Sequence, residues 1–215
     1  MTKDIGIILA CAGKGERFGK KKQFEYLGEK PLFLYALETA LKITENVVLV
    51  LPNEDINSVK ADVLKVEGGK TRQESVYRGL LALKNAEIVL IHDCVRPFAS
   101  PELFKKVSNL SGFDGLIPAL PVSQTVKKVL NGEIIGTIDR EGLWLSQTPQ
   151  GFKYEVLLSC HKLSVGACLT DDASLLERCG YKVGIIPGEA FNIKITTPED
   201  MELARAILKA NDRRA

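Results

Sequence analysis

Residues Ala10-Cys11-Ala12-Gly13-Lys14-Gly15-Glu16-Arg17-Phe18-Gly19-Lys20-Lys21-Lys22-Gln23 concentrate glycine and positive charge in one short stretch. Lys14, Arg17, Lys20, Lys21 and Lys22 stand against the lone Glu16, and the glycines let backbone N–H groups turn toward an anion. The chemistry such a loop offers is the cradling of a polyphosphate. Two better-known phosphate loops fail by counting. The G-x-G-x-x-G fingerprint needs glycine where Phe18 stands, and the Walker pattern is not supplied by Gly15, Gly19, Lys20 and Lys21. What remains, G-x-G-x-R-x-G before a lysine cluster, pairs backbone donors with mobile point charges and one guanidinium. The competing reading is a solvated basic turn after a strand.

Other candidates follow along the chain. Asp93 ends the apolar run Ile88–His92, which puts its carboxylate at a sheet edge where it holds Mg²⁺ beside substrate phosphates or simply forms a turn. His92 reads as a packed strand residue. In Gly68-Gly69-Lys70-Thr71-Arg72-Gln73-Glu74-Ser75, Thr71 and Glu74 form an S/T-x-x-E capping box, while the glycines allow main-chain reading of a flat base with Arg72 and Ser75 nearby. Arg140 and Gln147-Thr148-Pro149-Gln150 bracket Trp144 in a stretch too polar for simple core. Arg140 grips a phosphate bidentately or pairs with Glu141 or Asp139. Lys194, between Ile193 and Ile195, projects opposite the core side chains. Asp171-Asp172 and Thr197-Pro198-Glu199-Asp200 read as helix starts, although the paired carboxylates also suit a hydroxyl-rich substrate.

The elements that must position these residues alternate. Apolar runs at Ile5–Leu9, Val47–Leu51, Val63–Val66, Ile88–Ile91 and Leu116–Leu120 are separated by helical patterns at Pro31–Ile43, Asn53–Asp62, Thr71–Lys84 and Pro101–Asn109. That alternation predicts βαβ units and a mostly parallel sheet, with ligands at the carboxyl ends of the strands. After Pro121 the pattern changes: Asn131-Gly132 between Thr125–Leu130 and Ile134–Ile138 signals a hairpin. We expect a protruding β-arm, an insertion at about 121–142 in one domain spanning 1–215. Its Val126, Val129, Leu130 and Ile134 must pack on the body or on a second subunit. Helices over Tyr154–Leu163, Asp172–Cys179 and Pro198 to about Ala210, a strand at Lys182–Ile186 and a short alternation at Asn192–Ile195 complete the reading.

Composition narrows the class. The chain has 215 residues, 45% hydrophobic and 26% charged, with a net charge of only +2, so the first loop stands out by clustering rather than by overall basicity. No basic face with interleaved aromatic residues suggests nucleic acid, and no leader or spanning run suggests a membrane, which points to the cytoplasm. Cys11, Cys94, Cys160, Cys168 and Cys179 are odd in number and lack C-x-x-C spacing, supporting neither a disulfide framework nor a zinc site. Cys11 and Cys94, beside the candidate loops, read as small fillers.

In order along the chain, Ala12-Gly13-Lys14-Gly15-Glu16-Arg17-Phe18-Gly19 with Lys22-Gln23, Gly68-Gly69 with Arg72-Gln73-Glu74-Ser75-Val76, His92-Asp93-Cys94-Val95-Arg96-Pro97-Phe98, Gln147-Thr148-Pro149-Gln150, Thr170-Asp171-Asp172-Ala173-Ser174 and Asn192-Ile193-Lys194-Ile195-Thr196 resemble the 2-C-methyl-D-erythritol 4-phosphate cytidylyltransferases. The resemblance, from about Ile5 to Ala206, implies an α/β Rossmann-like nucleotidyltransferase fold and a homodimer interlocked through the β-arm. It implies Mg²⁺-dependent transfer of CMP from CTP to the polyol phosphate 2-C-methyl-D-erythritol 4-phosphate, in non-mevalonate isoprenoid biosynthesis. By motif, Arg17 and Lys22 would stabilise the transition state, and Ala12, Gly13, Gly15, Gly69, Arg72 and Ser75 would line the CTP site. Asp93 would serve metal and nucleotide. Arg96, Thr125, Arg140, Thr148 and Lys194 would hold the acceptor, Arg140 and Lys194 as catalytic positioners, some of them across the arm.

The sequence departs from the family in four places. Lys21 stands where proline is common, Gln124 where Asp precedes the threonine, and Cys11 and Cys94 where alanine is usual. Lys21 leaves the cluster Lys20-Lys21-Lys22 ambiguous, with Gln23 aligning Lys22 best. Rival readings are a ribitol 5-phosphate cytidylyltransferase and a nucleotide-binding protein without turnover.

Overall fold

Ile5–Ala10, Val47–Leu51 and Ile88–Asp93 carry unbroken apolar runs because both faces of these strands are covered, the pattern of a parallel sheet between two helical layers. The computed structural model describes residues 4–164 and 169–212; Cys168 lies outside them. The strands are β1 (Ile5–Ala10), β2 (Tyr26–Leu27), β3 (Lys30–Pro31), β4 (Val47–Leu51), β5 (Leu64–Glu67), β6 (Ile88–Asp93) and β7 (Gly115–Pro121), followed by β8 (Val126–Leu130), β9 (Glu133–Ile138), β10 (Trp144–Ser146), β11 (Gln150–Lys153) and β12 (Val183–Pro187). The helices are α1 (Leu32–Leu41), α2 (Arg72–Ala82), α3 (Pro101–Ser108), α4 (Tyr154–Leu163), α5 (Asp172–Arg178) and α6 (Pro198–Asp212).

The main sheet runs β10-β7-β11-β6-β1-β4-β5, with β12 also paired to β7. β1 pairs in parallel with β4 on one side and β6 on the other, so the strand order reverses between β1 and β6, where a crevice opens at the carboxyl ends. Alternate residues feed two cores. Ile7, Leu9, Leu49 and Leu90 meet α1, α3 and α6, while Ile8, Val48, Val50 and Ile91 meet α2, α4 and α5. β11 runs antiparallel between β6 and β7.

Two expectations change. Asn53–Asp62 is not a helix: a single 3₁₀ turn forms over Asn53–Asp55. Only Ile56 and Val59 anchor this segment at helical spacing, too little apolar burial to offset the turn preference of Asn, Asp and Ser. Asn192–Ile195 forms no strand: the Asn192 and Ile193 N–H groups turn back to the Glu189 and Phe191 carbonyls at 3.0 and 2.8 Å, and Ile195 N–H reaches the Val95 carbonyl at 3.0 Å.

The arm forms as a separate two-stranded sheet of β8 and β9. Asn131 and Gly132 have φ of 49° and 85°, the left-handed pair that a type I′ turn requires. Val129, Leu130 and Ile134 do not pack on the body; they are 54%, 59% and 60% exposed.

Candidate active site

The glycine loop leaves β1 and is curled by a buried glutamine. Gln23 Nε2 donates to the carbonyls of Cys11 and Gly13, each at 2.9 Å, folding the loop over the strand end. Gly15 sits at φ 73°, and a Cβ there would stand 1.8 Å from the Lys20 carbonyl oxygen, so no side chain fits. The turn sorts the lysine cluster. Lys20 pairs with Glu25 at 2.7 Å, and Lys21 reaches Glu54 and Asp55 at 2.6 Å each, committing both charges to structure. Lys22 faces the crevice instead. Partial burial, then Lys194 and Arg17, push its pKa below the ordinary lysine value, as expected where cations crowd around an anion site.

The second wall is the start of α2. Thr71 Oγ1 caps the helix by accepting from Glu74 N–H at 3.1 Å, and Glu74 reaches back to Lys70 N–H at 2.8 Å, one residue earlier than a regular capping box. Ser75 Oγ accepts from Gly69 N–H at 3.0 Å and donates to the Thr71 carbonyl, setting the glycine turn. This cap aims Arg72 across the crevice. Its Nε donates to Asp93 Oδ1 at 3.2 Å and its Nη1 to Asp172 Oδ2 at 2.7 Å, while Nη2 is buried without a protein partner.

The end of β6 supplies the centre. Asp93 accepts from Arg72 on one oxygen and faces Lys194 on the other, whose Nζ lies 2.7 Å from Oδ2. Burial alone would raise its carboxyl, but Arg72, Lys194 and Arg96 overrule burial and hold it well below the usual carboxylate range. Asp172 is likewise held down, burial being outweighed by Arg72 and His161. His92 is fully buried against Phe104, with Nδ1 3.0 Å from Thr148 Oγ1, and burial lowers its pKa to about 4. It is neutral at pH 7, as expected of a packing residue. Thr148 Oγ1 also accepts from Asp93 N–H at 3.1 Å. Arg96 donates to the Asn192 carbonyl at 2.7 Å, and Asn192 to the Thr148 carbonyl at 2.9 Å, so this buried network fixes the loop that carries Lys194.

Two cavities result. The first, about 410 Å³, collects Ala12, Gly13, Gly15, Arg17, Lys22, Gly69, Arg72, Ser75, Asp93 and Lys194. The second, about 180 Å³, collects Arg96 and Thr148, with Arg72, Asp93 and Lys194 as the wall shared with the first. Thr125 and Arg140 line neither. Thr125 is exposed on the arm, and exposed Arg140 donates to the Ser123 carbonyl rather than pairing with Asp139 or Glu141. Three residues of the candidate motifs had no individual role from sequence and gain one here: Asp171, the cap of α5 on the second cavity, Gln150, which donates to it at 2.9 Å, and Asp172, the counterion of Arg72. Their signal was present: Asp171-Asp172 and the Gln147–Gln150 stretch are too polar for their core setting.

Among the described residues no three His, Cys, Asp or Glu side chains gather as a metal cage. Glu16 and Asp93 are the carboxylates on the first cavity's wall, and Asp93 is the buried one, on the part shared with the second cavity. Each Asp93 oxygen bears one charged donor and keeps further lone pairs, which fits Mg²⁺ bound mainly by phosphates and water.

A family model described as IspD, 2-C-methyl-D-erythritol 4-phosphate cytidylyltransferase, matches residues 5–210. Among relatives, a protein of that name from Aquifex aeolicus is 45% identical over 205 residues, 94% of this chain and 96% of its own. One from Microcystis aeruginosa is 41% identical, covering 94% and 97%. The crystal structure of the protein of that name from Thermus thermophilus superposes with a TM-score of 0.85 at 31% identity, over 96% of this chain and 99% of its own.

Proposed function

The chain belongs to the IspD family, the 2-C-methyl-D-erythritol 4-phosphate cytidylyltransferases, and from that premise we propose how its residues share the work. It is a nucleotidyltransferase that transfers CMP from CTP to 2-C-methyl-D-erythritol 4-phosphate, giving 4-diphosphocytidyl-2-C-methyl-D-erythritol and pyrophosphate in non-mevalonate isoprenoid biosynthesis. The observation that carries the residue assignment is the shared wall. Two anionic substrates in adjoining cavities meet at Arg72, Asp93 and Lys194.

CTP occupies the larger cavity, its phosphates on the loop of Ala12, Gly13 and Gly15 and its base near Gly69 and Ser75. The acceptor occupies the smaller one, its phosphate gripped by Arg96 and Lys194 and its hydroxyls by Thr148. An acceptor phosphate oxygen attacks the α-phosphorus in line, that P–O bond forms, and the bond to the pyrophosphate oxygen breaks. A phosphate monoester is already a nucleophile at neutral pH, so no general base is needed, which agrees with a neutral, buried His92. Lys22 and Arg17 neutralise the charge that builds on the transferring and leaving phosphates. Asp93 with the triphosphate would hold Mg²⁺, which supplies further charge neutralisation at the phosphate oxygens.

The chain reads as one domain bearing the arm at about 121–142. Exposed Val129, Leu130 and Ile134 support a homodimer, with Thr125 and Arg140 reaching the partner's acceptor cavity. CTP chemistry and free thiols at Cys11, Cys94, Cys160 and Cys179 support the cytoplasm. Pyrophosphate release with Mg²⁺ tests the reading. Release only with CTP and methylerythritol phosphate supports it, preference for ribitol 5-phosphate moves the acceptor, and no release overturns it. Mixing Lys22→Ala with Arg140→Ala protein should restore activity if subunits share sites; no recovery despite subunit exchange refutes the shared site.

A further inference from the structure

The register of β1 on β6 pairs Ala10 with Asp93, so the next residues, Cys11 and Cys94, stand side by side where the strands leave the sheet. Both side chains belong to the core on the α1 side, both are 1% exposed, and both line the larger cavity. Neighbouring strands lie ~4.8 Å apart, within the Cα separation that a disulfide spans. The ladder is already loosening here: Cys94 N–H reaches the Ala10 carbonyl at a long 3.4 Å. Phosphate transfer uses neither sulfur.

We propose that Cys11 and Cys94 form a peroxide-oxidisable dithiol on the floor of the nucleotide cavity, whose disulfide form disables the site. The oxidant class is a hydroperoxide, small enough to enter a cavity of about 410 Å³ as hydrogen peroxide does. One thiolate attacks a peroxide oxygen: an S–O bond forms, the O–O bond breaks, and hydroxide leaves to take up a proton. The second sulfur attacks the sulfenic sulfur, the S–S bond forms, and water departs with the sulfenic oxygen. Two thiols and one hydrogen peroxide thus give one disulfide and two waters, and an external dithiol reverses the change by exchange.

The consequence for catalysis follows from the neighbours. The Cys11 carbonyl is one of the two that Gln23 holds to curl the glycine loop, and Cys94 directly follows Asp93. Drawing the two sulfurs to bonding distance therefore moves the loop and the carboxylate at once. A nucleotide in the cavity covers both sulfurs; this part rests on the CTP assignment above.

The test is peroxide treatment of the full chain, read by peptide mass mapping and by pyrophosphate release. The expected result is a Cys11–Cys94 linked peptide, at least tenfold loss of activity, recovery with dithiothreitol, and slower linkage with CTP present. Peroxide should leave the activity of Cys94→Ala protein at its own untreated level. Cys11→Ser serves if Cys94→Ala folds poorly. Mass mapping is independent of turnover, so linkage unaffected by CTP would count against the CTP assignment and leave the dithiol standing. Absence of the linked peptide after peroxide, or equal peroxide sensitivity in Cys94→Ala, overturns the proposal. The second outcome would point to the other neighbouring thiols, Cys160 and Cys179.

Discussion

Replacing Asp93 with Asn keeps the shape of the residue at the shared wall and removes its charge. Its side chain is 8% exposed, accepts from Arg72 Nε at 3.2 Å and lies 2.7 Å from Lys194 Nζ. Removing one member of a buried charge cluster costs ~3–5 kcal/mol because the partners stay behind uncompensated. Here Arg72 keeps Asp172 at 2.7 Å, and Lys194, 40% exposed, turns to water, so the low end applies. Asp93→Asn should lose about 3 kcal/mol in urea unfolding at pH 7 and melt roughly 6–12 °C lower. The carboxyl is held below its ordinary range in the folded chain, so its contribution is complete above the unfolded pKa of about 4 and fades as pH falls toward the folded value. The gap between wild type and Asp93→Asn should therefore be flat from about pH 8 to about pH 5 and shrink below about pH 4. A gap under about 1 kcal/mol at pH 7, or one that widens on acidification, refutes the charge balance described for the shared wall.

Lys22→Ala should lower kcat by about 10²–10³ while CTP affinity, measured by calorimetry, stays within about tenfold; unchanged turnover would remove Lys22 from the mechanism. Lys21→Ala breaks only exposed or part-exposed pairs with Glu54 and Asp55, so the melting temperature should hardly move and kcat should fall by less than about threefold. A large loss there would mean that the wrong lysine was assigned. Gly15→Ala, forced to φ 73° against the Lys20 carbonyl, should raise the KM for CTP at least about tenfold and lower the melting temperature.

Much of the scaffold was legible because its signals are local. Apolar runs marked β1, β4 and β6, Asn131-Gly132 marked the arm, and Thr71 marked the start of α2. The Asn53–Asp62 helix failed for the converse reason: its pattern was weak enough for turn preferences to prevail. β11 was invisible, since Gln150-Gly151-Phe152-Lys153 has no β-type run. It exists because Gly151 alone fits there: a Cβ would stand 2.1 Å from the Val107 carbonyl oxygen.

For the candidate site, residue types and spacing by themselves determined that a glycine loop full of cations follows the first strand and that Asp93 ends another, because both features lie within a few residues of their strands. Which lysine of three faces the crevice was decided only when Glu25, Glu54 and Asp55 claimed the other two. That Arg72 answers to Asp172, far along the chain, is likewise tertiary, as is the wall that Arg72, Asp93 and Lys194 place between two cavities. Local spacing sets which charges exist and which way a strand presents them. Only the packed chain sets which charges neutralise one another and which remain for a substrate, because the energy of a buried charge depends on the partners folding brings to it.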